Sequence, residues 1–139
     1  MPKSDFLRDA VLNHVLRGVA MPTFTGSVYV SLHTADPGTT GASEVNSGTH
    51  TWYARVAVTR ATGSWAAPST NGSARRTSNS GTVTFAAPTT SVSVTHMGIW
   101  DATTTGNFLW GGALGTTRNL ANGDSAPSFA IGAATIDET

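Results

Sequence analysis

Apolar residues recur at helical spacing in one place, near the start of the chain, where Leu7, Val11 and Val15 form a stripe and Leu12, Leu16 and Val19 a second stripe beside it. The spacing predicts a helix over residues 4–19. Its ends are marked as well. Ser4 or Asp5 can accept hydrogen bonds from the first free amides, Asp5 suits the positive end of the helix dipole, and Arg17 lies near the negative end. Gly18 can take the left-handed exit and Pro22 blocks continuation.

From Thr23 onward the period changes from helical to two. In residues 27–33, Val28, Val30 and Leu32 alternate with Ser27, Tyr29, Ser31 and His33, which predicts a central strand with one buried face. It runs into the turn Asp36-Pro37-Gly38. Further strands are expected at 52–59, 81–85, 92–100, 108–114 and 128–136, each bounded by Gly, Pro, Asn or Asp. The polar loop 101–107 makes a hairpin of 92–100 and 108–114, with Trp100 and Trp110 placed to pair across it, and Asn122-Gly123-Asp124 is another tight turn. Residues 61–80 are polar and poor in bulky groups apart from Trp65, and are expected to form a long functional or mobile loop. No internal repeat is present. The fold class expected is mainly β: an antiparallel, jelly-roll-like β-sandwich over 23–139 with one N-terminal α-helix, in a single domain of 139 residues.

Charge narrows the functional classes. The 8 basic and 8 acidic side chains cancel, and charged residues are 12% of the chain, about half of the roughly 25% usual in soluble domains. Nucleic acid is not an expected partner, because Arg75-Arg76 alone supplies little phosphate-neutralising charge. A polar, nearly uncharged surface can instead be buried against protein without stripping water from many ions. With no cysteine there is no disulfide framework, thiolate nucleophile or Cys-based zinc site. No apolar run approaches the roughly 20 residues of a membrane helix, and the start lacks the apolar core of a secretory signal, so no membrane partner is expected.

Candidate chemistry is thin. His14, His33, His50 and His96 have no ligand spacing, and neither HExxH nor the G-x-S-x-G nucleophile turn occurs. Asp36, Asp101 and Asp124 fall in turns, where aspartate is at home structurally. Gly111-Gly112 suggests a bulge or a close approach of another chain segment. The expectation is no catalytic residue, no metal and no cofactor. Of the tryptophans, Trp100 and Trp110 are read as core, and Trp65 as the exposed one.

The run Val30-Ser31-Leu32-His33-Thr34-Ala35-Asp36-Pro37-Gly38, followed by Gly41, Glu44-Val45 and Tyr53-Ala54-Arg55-Val56, then Val94-Thr95-His96-Met97-Gly98-Ile99-Trp100-Asp101-Ala102, Phe108-Leu109-Trp110-Gly111 and Asn122-Gly123-Asp124, resembles a group of small tailed-phage virion proteins described as tail-fibre or capsid cement (decoration) proteins. The resemblance spans most of the chain. It implies a compact β domain without enzymatic activity, made in the host bacterial cytoplasm and carried on the particle surface. It also implies a homo-oligomer, a trimer being favoured. A fibre normally needs a shaft of repeats or heptads, and this chain has neither. The expected role is therefore capsid decoration, with the major capsid protein or another virion protein as partner. The alternative is a tail-tip module binding a receptor or glycan through Trp52, Trp65 and the 61–80 loop. Interface candidates are Phe6, Leu7, Arg8, Val11, Trp52 and Trp65.

Overall fold

The computed structural model describes residues 3–139. One helix, α1 (Asp5–Arg17), precedes the strands β1 (Ser27–His33), β2 (Val56–Thr59), β3 (Ser69–Asn71), β4 (Ala74–Ser78), β5 (Val83–Thr84), β6 (Val92–Trp100), β7 (Phe108–Leu120), β8 (Ser128–Phe129) and β9 (Thr135–Glu138). The helix starts where Ser4 Oγ accepts from the Leu7 amide at 3.1 Å and stops at Gly18, whose φ of 68° is the left-handed exit.

The strands form three open antiparallel sheets: β2-β1-β6-β7, β3-β4-β9 and β5-β8. β1 lies inside the first sheet, pairing with β2 (Val28↔Val58) and with β6 (Val30↔Ile99, Leu32↔Met97). Val30, Leu32, Met97 and Ile99 share a core with Phe85 next to the β5-β8 sheet and with Ala134 and Ile136 of the β9 region. The result is a sandwich-like arrangement in which one large sheet is faced by two small ones.

Several local expectations change. β1 is buried on both faces at its far end, not one: Ser31 and His33 are as buried as Val30, because residues 34–55 fold back over that side. The 61–80 stretch is a loop only in its first part, 61–68, since Gly72 at φ 60° turns 69–78 into the β3-β4 hairpin. Residues 52–55 are irregular and only Val56–Thr59 pairs; the 128–136 segment is split between β8 and β9 in different sheets; β7 runs on to Leu120. The β6-β7 hairpin forms as expected, but a register shift sets Trp100 opposite Phe108 and Trp110 opposite Ile99. The two indoles therefore lie on opposite faces and do not pair. Trp100 is buried, stacked edge-on against Phe108 at 5.1 Å between ring centres, whereas Trp110 is half-buried.

Glycine is required where the folded-back segment meets the sheet. A Cβ on Gly98 would lie 2.6 Å from Ser31 Oγ and 2.7 Å from His33 Nε2. One on Gly111 would meet Pro37 Cγ at 2.5 Å, so the close approach suspected at Gly111-Gly112 is made by this chain's own turn.

Candidate functional site

Helix α1 turns only Leu7 and Ala10 fully inward, with Phe6 and Asn13 half-buried. The predicted stripe Leu7–Val11–Val15 is thus not the core stripe, which runs through Phe6, Leu7 and Ala10. On the opposite side Leu12 is 55% exposed, Val15 71%, Leu16 74% and Val19 47%. Leu12, Val15 and Leu16, at i, i+3 and i+4, make one apolar seam on a 13-residue helix about 20 Å long, and Val19 adds to it beyond the Gly18 exit. Beside it a hollow of about 430 Å³ is lined by Val11, Met21, Phe24, Val28, Leu109 and Trp110. Asp5 and Arg8, 3.6 Å apart, sit together at the N-terminal end of the seam.

A second opening lies at the far edge of the large sheet. β7 is an edge strand, and Lys3 and Ser4 cover only its start, through the Lys3↔Trp110 bridge and the Ser4 amide donating to the Leu109 carbonyl at 2.9 Å. Its pairing with β6 jumps from His96↔Ala113 to Val94↔Arg118, leaving residues 114–117 bulged without a β6 partner. Behind the bulge a slot of about 290 Å³ reaches Leu32, Phe85, Met97, Leu114 and Phe129, with Ala133 and Thr135 on the facing wall. The other end of this side is closed, since Trp110 Nε1 donates to Glu138 Oε2 at 3.1 Å and Lys3 pairs with Glu138 at 2.5 Å.

The residues that look most like catalytic groups are engaged with one another instead. Arg55 donates Nε and Nη2 to Glu44 at 2.8 and 2.7 Å, and Nη1 to the carbonyls of Ala102 and Thr105 at 2.9 and 2.8 Å. Its guanidinium also stacks 3.7 Å from the centre of a Trp100 ring. Burial pushes the Glu44 carboxyl up, but the hydrogen bonds from Arg55 and Tyr53 outweigh it and hold the pKa below the usual value. Burial, then the Glu44 charge, raise Tyr53, which keeps its proton and donates it to Glu44 at 2.7 Å while accepting from the Leu32 amide at 3.1 Å.

His33 completes this wall. Burial is the largest influence and lowers its pKa, so the ring is neutral at pH 7. A neutral ring fits one direction of hydrogen bonding: Trp100 Nε1 donates to Ser31 Oγ at 3.0 Å, Ser31 donates to His33 Nε2 at 2.8 Å, and His33 Nδ1 donates to the Ala42 carbonyl at 2.7 Å. A Ser–His pair is present here, yet both side chains are fully buried, out of reach of a substrate in solution. His50 meets Thr90 at 2.7 Å, His96 meets Thr95 at 2.7 Å, and His14 meets the Val19 carbonyl at 3.0 Å. Among the described residues no three His, Asp or Glu side chains gather closely enough to hold a metal ion.

The interface candidates separate. Arg8 and Val11 lie on the free side of α1, and Phe6 is half-buried at its base. Leu7 is 5% exposed and Trp52 8%, the latter donating Nε1 to Thr90 Oγ1 at 3.1 Å, so neither offers surface to a partner. Trp65 is half-buried against the core and bridges to Asn79. It is not the exposed tryptophan expected from a loop. Leu12, Val15, Leu16 and Val19 were assigned to helix spacing alone. The signal for a free seam was the second apolar stripe, since a helix resting on one core needs only one.

The chain is a β-sandwich-like fold whose buried side-chain polar groups satisfy each other and whose helix leaves large apolar side chains exposed. The family model described as Podophage GP4 fiber I protein gp80 matches residues 2–137, and the chain belongs to this bacteriophage virion family. No curated protein matches it. No helix among the described residues is long and apolar enough to cross a membrane.

Proposed function

We propose that the chain is a non-enzymatic structural unit of a phage fibre that assembles through α1, the helices of several copies packing side by side. The carrying observation is the seam Leu12–Val15–Leu16–Val19, apolar and facing away from its own sheets. A parallel arrangement suits the charges. It brings Asp5 and Arg8 of every copy to one level, where they can pair between copies, whereas an antiparallel one sets them against the apolar end at Val19. Full burial of such a side chain is worth about 1.5–3 kcal/mol, so partial burial of four contributes several kcal/mol per copy. The seam alone falls short of the roughly 800 Å² per partner of a standard interface, and Val11 and Met21 at the adjoining hollow extend it. Three copies are the expectation carried over from the resemblance.

Sedimentation of the purified protein tests the reading. The native chain should sediment as an oligomer and the Val15→Asp/Leu16→Asp double variant as a monomer with the same circular dichroism. A native monomer at every concentration tried removes the proposal.

The second reading is a cement subunit clamping neighbouring subunits of the capsid shell. The observation favouring it is that the described residues hold no shaft, only one helix of 13 residues and short sheets. Cryo-electron microscopy of the particle separates the two by whether the density sits on the shell, against the major capsid protein, or on the tail. The glycan-binding reading has less support, because residues 69–78 of the expected loop form a hairpin, Trp52 is buried and Trp65 is half-buried against the core.

A further inference from the structure

We propose that the slot beside β7 receives an extended segment of another polypeptide, which adds as a strand to the free edge of β7 and places an apolar side chain in the opening. The backbone points to the occupant. Among the described residues no strand pairs with the outer side of β7 beyond Trp110, and residues 114–117 lack a β6 partner as well, so outward-facing amide and carbonyl groups there have no neighbouring strand to pair with. Only another main chain in extended form supplies donors and acceptors at that repeat.

Apart from the bulge, the edge has neither charge nor proline to guard it against pairing. Gly111-Gly112-Ala113-Leu114-Gly115-Thr116-Thr117 carries no charge and no proline, and Arg118 is the first charged residue. Small residues keep it open to close approach, and a Cβ on Gly115 would meet nothing within 4 Å. The sandwich is unsealed behind this stretch, where the slot opens onto Met97, Phe85 and Phe129. A strand on the β7 edge would point every second side chain toward that opening and the others to solvent. The donor is therefore an uncharged segment free of proline, with an apolar residue at alternate positions. Its run begins after Gly111, because Lys3 and Ser4 already occupy the start of the edge.

The inference stands apart from assembly through α1, and its test uses the Val15→Asp/Leu16→Asp variant beside the native chain so that the two fail separately. The probe is the peptide Thr-Val-Thr-Leu-Thr-Val-Thr, with a copy carrying proline for its central leucine as control, and the readout is amide hydrogen exchange by NMR. The peptide should slow exchange of the amides at 113–117 about tenfold in both proteins, and the control should not. Ala133→Trp, an exposed position on the facing wall, should fill the slot and weaken the peptide about tenfold without moving the melting temperature. No protection at 113–117, or protection that Ala133→Trp leaves intact, overturns the proposal. Protection that grows with protein concentration and needs no peptide overturns it in favour of a second copy on the edge. Binding of the dye anilinonaphthalene sulfonate in the slot, with the amides unprotected by the peptide, overturns it in favour of a small apolar ligand.

Discussion

The two sides of the large sheet solve opposite problems. On one, residues 34–55 fold over β1 and bury His33, Glu44, Tyr53 and Arg55 in a network in which every group has a partner, and no buried side-chain polar atom among the described residues lacks one. On the other, α1 and the β7 edge leave Leu16 and the slot open to water. The side rich in catalytic-looking residues ties them to one another, Glu44, Tyr53 and Arg55 forming one wall of an opening of about 380 Å³, while the other side leaves large apolar side chains exposed. Polar side chains that look catalytic in a sequence can be held as structural partners of one another, because a buried polar group must be hydrogen-bonded.

The contrast breaks most visibly at Arg55. Its side chain is 7% exposed and that of Glu44 21%, so Arg55→Ala strands a carboxylate and frees the loop carbonyls of Ala102 and Thr105. A loss of about 3 kcal/mol is expected, as for other broken buried pairs, read as a fall of roughly 10 °C in melting temperature. Gly98→Ala comes next. Its new methyl group meets Ser31 and His33, and overpacking of this kind costs about 1–3 kcal/mol, measured by urea unfolding.

A smaller effect follows from His33. Its folded pKa lies below the ordinary 6.5, so the unfolded chain takes up the proton first as pH falls. Stability is full above about pH 6.5 and declines as pH drops through that value, levelling once the folded pKa is passed. Glu44, also depressed, contributes stability that is lost only lower, as pH falls below its ordinary 4.5. Unfolding measured between about pH 7.5 and 5.5 reads this slope above the range of Glu44, and His33→Gln should flatten it. The smallest effect is expected on the open side, where Val15→Asp/Leu16→Asp should change the unfolding free energy of the single chain by no more than about 0.5 kcal/mol per site. A large loss there would mean that the seam belongs to the fold and not to a partner.

Much of this was legible in the residues. The capped helix, the central strand at 27–33, the β6-β7 hairpin and the sandwich class follow from period, caps and turn residues, which are local. Membership of a phage virion family was legible too, in ordered motifs such as Val94 to Ala102. The β3-β4 hairpin was missed because three- and five-residue strands in a polar stretch carry no alternation strong enough to see. The free seam was missed because periodicity shows that a helix has an apolar face without showing what lies against it.

The sequence by itself determined the capped helix, the central strand at 27–33, the β6-β7 hairpin and the absence of metal-binding and nucleophile motifs. That neither apolar stripe of α1 turns inward as a whole, that Ser31 and His33 are buried on the second face of β1, and that the sandwich stays open at residues 114–117 were decided only by tertiary structure. The reason is physical. Local spacing sets which side chains share a face, but whether a face is covered depends on residues far along the chain, here Thr34 to Arg55 over one side and β9 beside the other.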